Sequence, residues 1–310
     1  MIDRARHYMR PPGFLGATTS DEVLVIDLAG EHHDLATVAV GEWSALFQEL
    51  IGPITGDVLV ERLSHLPDSD RDFACLLIDT QLLLEGATPG ELLDRRQKAF
   101  TDNRGLHLER FPATCEHLIL ALTGSIMCGL MAPVALSLAY CGIQEQLDVL
   151  LTSTALKFTT RDLYESYGIR TWVEPFERRD DIFVPHVHLA QSADCVLVMP
   201  ASANSLHRLA SGTCSDLLAM VVSATDAPVV AMPVMNDAMW NNKAVQRNVS
   251  QLREDGVYII EPGMIVAASA LIDGADPMYG GPGSLWRGPI GAMHTVAAVV
   301  DHHRSRKQSL

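Results

Sequence analysis

The sequence lacks any paired-cysteine pattern. Its 6 cysteines, at positions 75, 115, 128, 141, 195 and 214, include no CxxC and no Cys/His set at zinc-finger spacing, so no structural metal is expected. Basic charge is also short. With 23 Lys+Arg against 38 Asp+Glu, the net charge of -15 argues against nucleic acid and anionic membrane surfaces as partners. Residues 1–13, MIDRARHYMRPPG, hold no apolar run, so no secretory signal is expected. Unpatterned thiols without a signal read as the reduced cysteines of a cytoplasmic protein. Charged residues make up only 20% against 48% hydrophobic, with mean hydropathy +0.14, which excludes disorder over the whole chain. No internal repeat and no GxGxxG fingerprint occurs.

At 310 residues the chain has length for two domains, and its charge is unevenly spread. Residues 1–110 carry 19 acidic and 10 basic side chains, while the 200 residues that follow carry 19 and 13. A charged first third joined to an apolar remainder predicts two different domains. One stretch, Leu118–Ile143, has no Asp, Glu, Lys or Arg over 26 residues, long enough to cross a bilayer. Thr123, Gly124 and Ser125 interrupt it, Pro133 follows, and no basic cluster flanks it. A buried strand, a tight turn and a buried helix is therefore the better reading.

Residues 118–122, 147–152, 169–173, 195–200, 228–233 and 257–260 read as continuously apolar strands. Helical patterns lie between them, ending near 140 and over 159–167, 186–193, 206–221 and 241–255. This predicts an α/β fold, a Rossmann-like (flavodoxin-like) parallel sheet with helices on both faces. Earlier in the chain, 22–28 and 33–40 read as a hairpin, and 42–50, 55–66 and 70–84 as amphipathic helices. They predict a small α+β winged-helix-like domain. The expected organisation is an N-terminal domain over 1–92, a charged Pro/Gly-containing linker over 93–113, and the α/β domain over 114–310. Gly- and Pro-rich residues at about 264–290 read as a flap.

Three strings close apolar strands at their carboxyl ends, where open α/β sheets bind ligands. Thr123-Gly124-Ser125-Ile126 sets backbone N–H groups and a hydroxyl at a helix start, which suits a phosphate and equally a capped turn. In Pro200-Ala201-Ser202-Ala203-Asn204-Ser205 small residues let a ring approach the backbone. Pro233 to Trp240 offers Asn236 as donor and acceptor. His186 and His188 lie in an apolar segment, where a histidine alone reads as structural and an HxH pair as a metal ligand.

PASANS (200–205) and PVMNDAMW (233–240) resemble the PASANT and PxMNxxMW motifs of the homo-oligomeric flavin-containing cysteine decarboxylases. That family includes the lantibiotic peptidyl-cysteine decarboxylases and phosphopantothenoylcysteine decarboxylase. TGSI (123–126), TSTALKF (152–158), HVHLA (186–190) and SGTCSDLL (211–218) match in order, so the resemblance covers about residues 117–263. It implies a flavin, FMN with FAD as the alternative, held by Gly124, Ser125, Thr154, Phe158, Ser202, Ala203, Asn204 and Asp216, with no metal. It also implies a homotrimer or dodecamer with flavin at subunit contacts. The implied catalytic residues are His186, which opens the family's HIxLA-like string, and Asn236. Asn236, Met239 and Trp240 would touch substrate, the last two being equally readable as packing.

The implied reaction is oxidative decarboxylation of a C-terminal cysteine. Neutral His186 takes the thiol proton, hydride leaves Cβ, and the resulting thioaldehyde loses CO2 to give an aminoenethiol. The phosphopantothenoylcysteine enzymes carry a flap cysteine, whereas no cysteine follows Cys214 here. That favours a ribosomally made precursor peptide over a small conjugate such as phosphopantothenoylcysteine. The 20–88 unit, with DEVLVIDL, GEWSALFQEL and GPITGDVLVERL, resembles the peptide-recognition domains of ribosomal peptide maturation. That resemblance implies a leader bound as an added strand along His33–Val40, with an assembly module as the alternative.

Overall fold

A computed structural model describes residues 2–10, 15–26, 32–50, 52–80, 82–102, 115–141, 144–179, 182–260 and 295–305. The flap expected at about 264–290 lies outside them. The described residues form two compact units, one within Met1–His107 and one within Leu108–Ile260 together with a helix over 295–305.

The first unit holds β1 (His7–Met9), β2 (Leu15–Thr18), β3 (Glu22–Ile26), β4 (His32–Ala36), α1 (Val40–Glu49), β5 (Ile54–Thr55), α2 (Gly56–Ser64), α3 (Asp68–Asp79), β6 (Leu84–Gly86) and α4 (Pro89–Asp102). The expected hairpin is present as β3 and β4, paired antiparallel from Glu22↔Ala36 to Ile26↔His32, and β2 adds a third strand. A second antiparallel sheet, β5-β1-β6, has strands too short to announce themselves by alternation. The apolar helix faces bury Trp43, Phe47, Leu59, Leu63, Phe73 and Leu77 in one core. Inside it Asp70 is buried yet satisfied, accepting from Thr37 Oγ1 at 2.5 Å and Trp43 Nε1 at 2.9 Å.

Residues 93–102, expected to be linker, are helical, so the boundary at 92/93 falls inside α4. The local reason is a pair of bonds at the helix start: Thr88 Oγ1 accepts from Glu91 N (3.2 Å) and Glu91 Oε2 accepts from Ala87 N (2.8 Å). Pro89 opens the helix and Leu92 is fully buried, with Asp94 and Arg95 beyond it exposed.

The second unit holds β7 (Cys115–Leu122), a 3-10 turn (Ile126–Leu130), α5 (Met131–Cys141), β8 (Gln144–Leu151), α6 (Arg161–Glu165), β9 (Arg170–Trp172), α7 (Pro185–Ser192), β10 (Cys195–Ala201), α8 (Ala203–Ala210), α9 (Leu217–Ala224), β11 (Val229–Pro233), α10 (Asp237–Trp240), α11 (Lys243–Glu254) and β12 (Tyr258–Ile260). Its strands run β12-β11-β10-β7-β8-β9, every adjacent pair parallel. Counted from β7 this is the doubly wound order 3-2-1-4-5-6, and the winding reverses between β7 and β10. The described part of the uncharged run, 118–141, is a buried strand, a 3-10 turn and a helix. No described helix is long and apolar enough to cross a membrane.

The single helix expected over 206–221 is two. Gly212, at φ +65, lets the chain leave α8 in the left-handed region, and Asp216 Oδ1 restarts it by capping Ala219 N at 2.9 Å. Away from the strands' carboxyl ends, Asp148 is fully buried in β8. Burial alone would raise its carboxyl pKa. His117 Nε2 at 2.8 Å and Arg170 Nε and Nη2, each at 2.6 Å, overcome that and hold it at about 2.

Candidate functional site

The carboxyl ends of β7, β8, β10 and β11 bring the expected strings to one edge of the sheet. After β7, Ser125 Oγ caps the 3-10 turn by accepting from Met127 N at 3.3 Å, and Gly124 approaches the loop after β8. A Cβ on Gly124 would lie 2.3 Å from Thr154 Cγ2, so only glycine fits. Thr154 and Phe158 are exposed beside it. After β10, Ser202 Oγ caps α8 by accepting from Ser205 N at 3.3 Å, leaving Ala203 half-buried and Asn204 exposed in the first turn.

Thr123 joins these two loops. Its fully buried hydroxyl donates to Pro200 O (2.7 Å) and accepts from Ser202 N (2.8 Å). Thr123 was legible only as part of a turn; the signal for more is Pro200, which has no N–H to continue the ladder with β7. Cys128 Sγ donates to the Thr123 carbonyl at 2.9 Å, and burial pushes its thiol pKa up.

After β11, Asn236 Oδ1 accepts from Met239 N at 2.9 Å, which orients the amide. Asn236 and Met239 are exposed, whereas Trp240 packs half-buried on the core. Asp216 stands apart in role: one oxygen caps α9 and the other pairs with Arg208, so its acceptors are engaged by the protein.

The chain leaves β9 at the carboxyl edge and enters β10 at the amino edge, so α7 descends between them and His186, in its first turn, starts at the site's edge. His186 is half-buried, its Nδ1 is buried without a hydrogen-bond partner, and the Phe176 ring meets it edge-on at 6.4 Å. His188, two residues on, lies toward the Asp148 cluster; burial and then Arg170 lower its pKa. No described group of three His, Cys, Asp or Glu side chains could hold a metal.

The reversal of winding between β7 and β10, with hydroxyls and backbone N–H groups gathered beside it, defines a doubly wound α/β protein, a class that binds ligands at the switch point. The family model Flavoprotein matches residues 111–279, and the chain belongs to that family. Mersacidin decarboxylase of Bacillus sp. (strain HIL-Y85/54728) is 43% identical over 82 residues, 26% of this chain and 42% of that protein. The Coenzyme A biosynthesis bifunctional protein CoaBC of Mycobacterium tuberculosis (strain ATCC 25618 / H37Rv) is 37% identical over 129 residues, 41% of this chain and 29% of that protein. The chain thus spans less than half the length of either relative. Among solved structures, the FMN-dependent cysteine decarboxylase SpaF is 34% identical with TM-score 0.44, covering 46% of this chain and 82% of that one. TvaF, from thioviridamide biosynthesis, is 28% identical with TM-score 0.46, covering 59% and 98%.

Proposed function

We propose that the chain is an FMN-dependent decarboxylase that oxidatively decarboxylates the C-terminal cysteine of a ribosomally made precursor peptide. The observation that carries this reading is His186: a ring nitrogen buried without a partner, at the edge where the site strings converge. The residues fit a flavin phosphate. Gly124, Ser125 and Thr154 offer it hydroxyl and backbone donors and no carboxylate, while Ser202, Ala203 and Asn204 would line the isoalloxazine ring. The flavin, when bound, supplies the hydride acceptor.

The protein's part is to bind, orient and move a proton. Neutral His186 accepts the substrate thiol proton, which a free cysteine near neutrality mostly retains. Asn236 has its Oδ1 committed to the α10 cap, so its Nδ2 is the group offered to the substrate carboxylate. Exposed Phe176 and Phe183, at 73% and 65%, support assembly into a homotrimer or dodecamer that covers them. The precursor's leader would add to β4, an outer strand of the described meander.

The similarity to CoaBC proteins favours a second reading, decarboxylation of phosphopantothenoylcysteine. One experiment separates the two. The purified yellow protein is incubated with a cysteine-terminated peptide and, separately, with the small conjugate. A peptide mass loss of about 46 Da, CO2 plus two hydrogens, supports the first reading. Turnover of the conjugate with no change in the peptide overturns it. His186→Asn should stop the loss while the protein stays yellow.

A further inference from the structure

We infer that Thr123 is a positioning residue that sets the spacing between the two loops that would hold the flavin; the inference rests on the flavin reading above. The ladder between β7 and β10 pairs Cys195↔Leu118 through Val198↔Ala121 and then stops. Two residues on, Pro200 would stand opposite Thr123, but proline has no N–H to donate. On the other side of β10, the pairing with β11 shifts register between Val198 and Ala201. Regular backbone pairing therefore fails on both sides where the PASANS string begins.

The Thr123 side chain takes over that function. One hydroxyl donates to Pro200 O at 2.7 Å and accepts from Ser202 N at 2.8 Å, spanning the residue that the ladder skips. A hydroxyl is suited to this, since it is donor and acceptor at one atom. The Thr123 main chain is held in turn by the Cys128 thiol at 2.9 Å. On the far side Val234 N donates to Ala201 O at 3.0 Å, so the start of the loop is clamped between β7 and β11. Gly124 and Ser125 follow Thr123 directly, and Ala203 and Asn204 follow Ser202. The two candidate flavin-holding segments are thus joined through a single oxygen atom. Thr123 is fully buried and touches no ligand on this account.

The test is an FMN titration of apoprotein, followed by quenching of flavin fluorescence, for wild type, Thr123→Val and Thr123→Ser. Valine keeps the branched shape and removes both hydrogen bonds; serine keeps the oxygen. Thr123→Val should bind FMN about tenfold or more weakly, and Thr123→Ser should stay within about threefold of wild type. A merely structural role would move melting temperature in both variants without this split. If Thr123→Val is insoluble, Thr123→Ala carries the same expectation. Wild-type affinity in the variant that lacks the hydroxyl overturns the positioning role. Failure of the wild type itself to bind FMN overturns the flavin reading first, so the two failures are distinguishable.

Discussion

Gly124 has no room for a side chain, because a Cβ there would sit 2.3 Å from Thr154 Cγ2 and 2.8 Å from Thr154 Cβ. Gly124→Ala should therefore push the loop after β8 outward and lower the flavin absorbance per mole of purified protein. Retention of full flavin by the variant would show that the loop yields freely. Asn236, Ser202 and Ser125 share another device: each has an oxygen turned inward to cap a following turn. These residues were legible because short polar strings stood at the ends of apolar strands. Their orientations were not, since a capping acceptor depends on where the next turn's N–H points. The role of Asp216 was obscured in the same way: its string matched, while its two oxygens serve α9 and Arg208.

Among the elements, the parallel strands were the most legible, because each is buried on both faces and reads as an unbroken apolar run. Helices with an apolar stripe, such as α1 to α3, followed. Elements that depend on a local cap are not legible in periodicity: the second half of α4 reads as linker from its Pro, Gly and charge, and α8 and α9 read as one helix across Gly212. In the first unit, α1 and α3 are joined by Asp70, which takes donors from Thr37 and Trp43. Asp70→Ala strands both donors in the core and should cost about 2–4 kcal/mol in urea unfolding monitored by tryptophan fluorescence. Asp70→Asn, which keeps one acceptor, should cost less. Equal stability of Asp70→Ala and wild type would remove Asp70 from the core's support.

At the scale of the molecule, ionised groups and chemistry occupy different parts of the sheet. The buried cluster of Asp148, His117 and Arg170 lies away from the carboxyl edge where the site strings converge. Asp148 is held at about 2, below an unfolded value of about 3.9, so its stabilisation is fully present above about pH 4 and is lost as pH falls through 2. That stabilisation is on the order of 2 to 3 kcal/mol. Asp148→Asn should be less stable than wild type at neutral pH, and the gap should narrow as urea titrations are moved from about pH 5 toward about pH 2.5. A gap that stays constant over that range would mean the ion pairs add nothing to acid stability. The Cys128 thiol has a consequence of a different kind. Its proton points at the Thr123 carbonyl, and burial disfavours its anion. Buried in the turn after β7, that sulfur favours its thiol form, so a rise in thiolate absorbance when a cysteine-terminated peptide is added should come from the peptide. An ultraviolet pH titration with and without a cysteine-terminated peptide would therefore test the proton transfer proposed for His186 with no contribution from this sulfur.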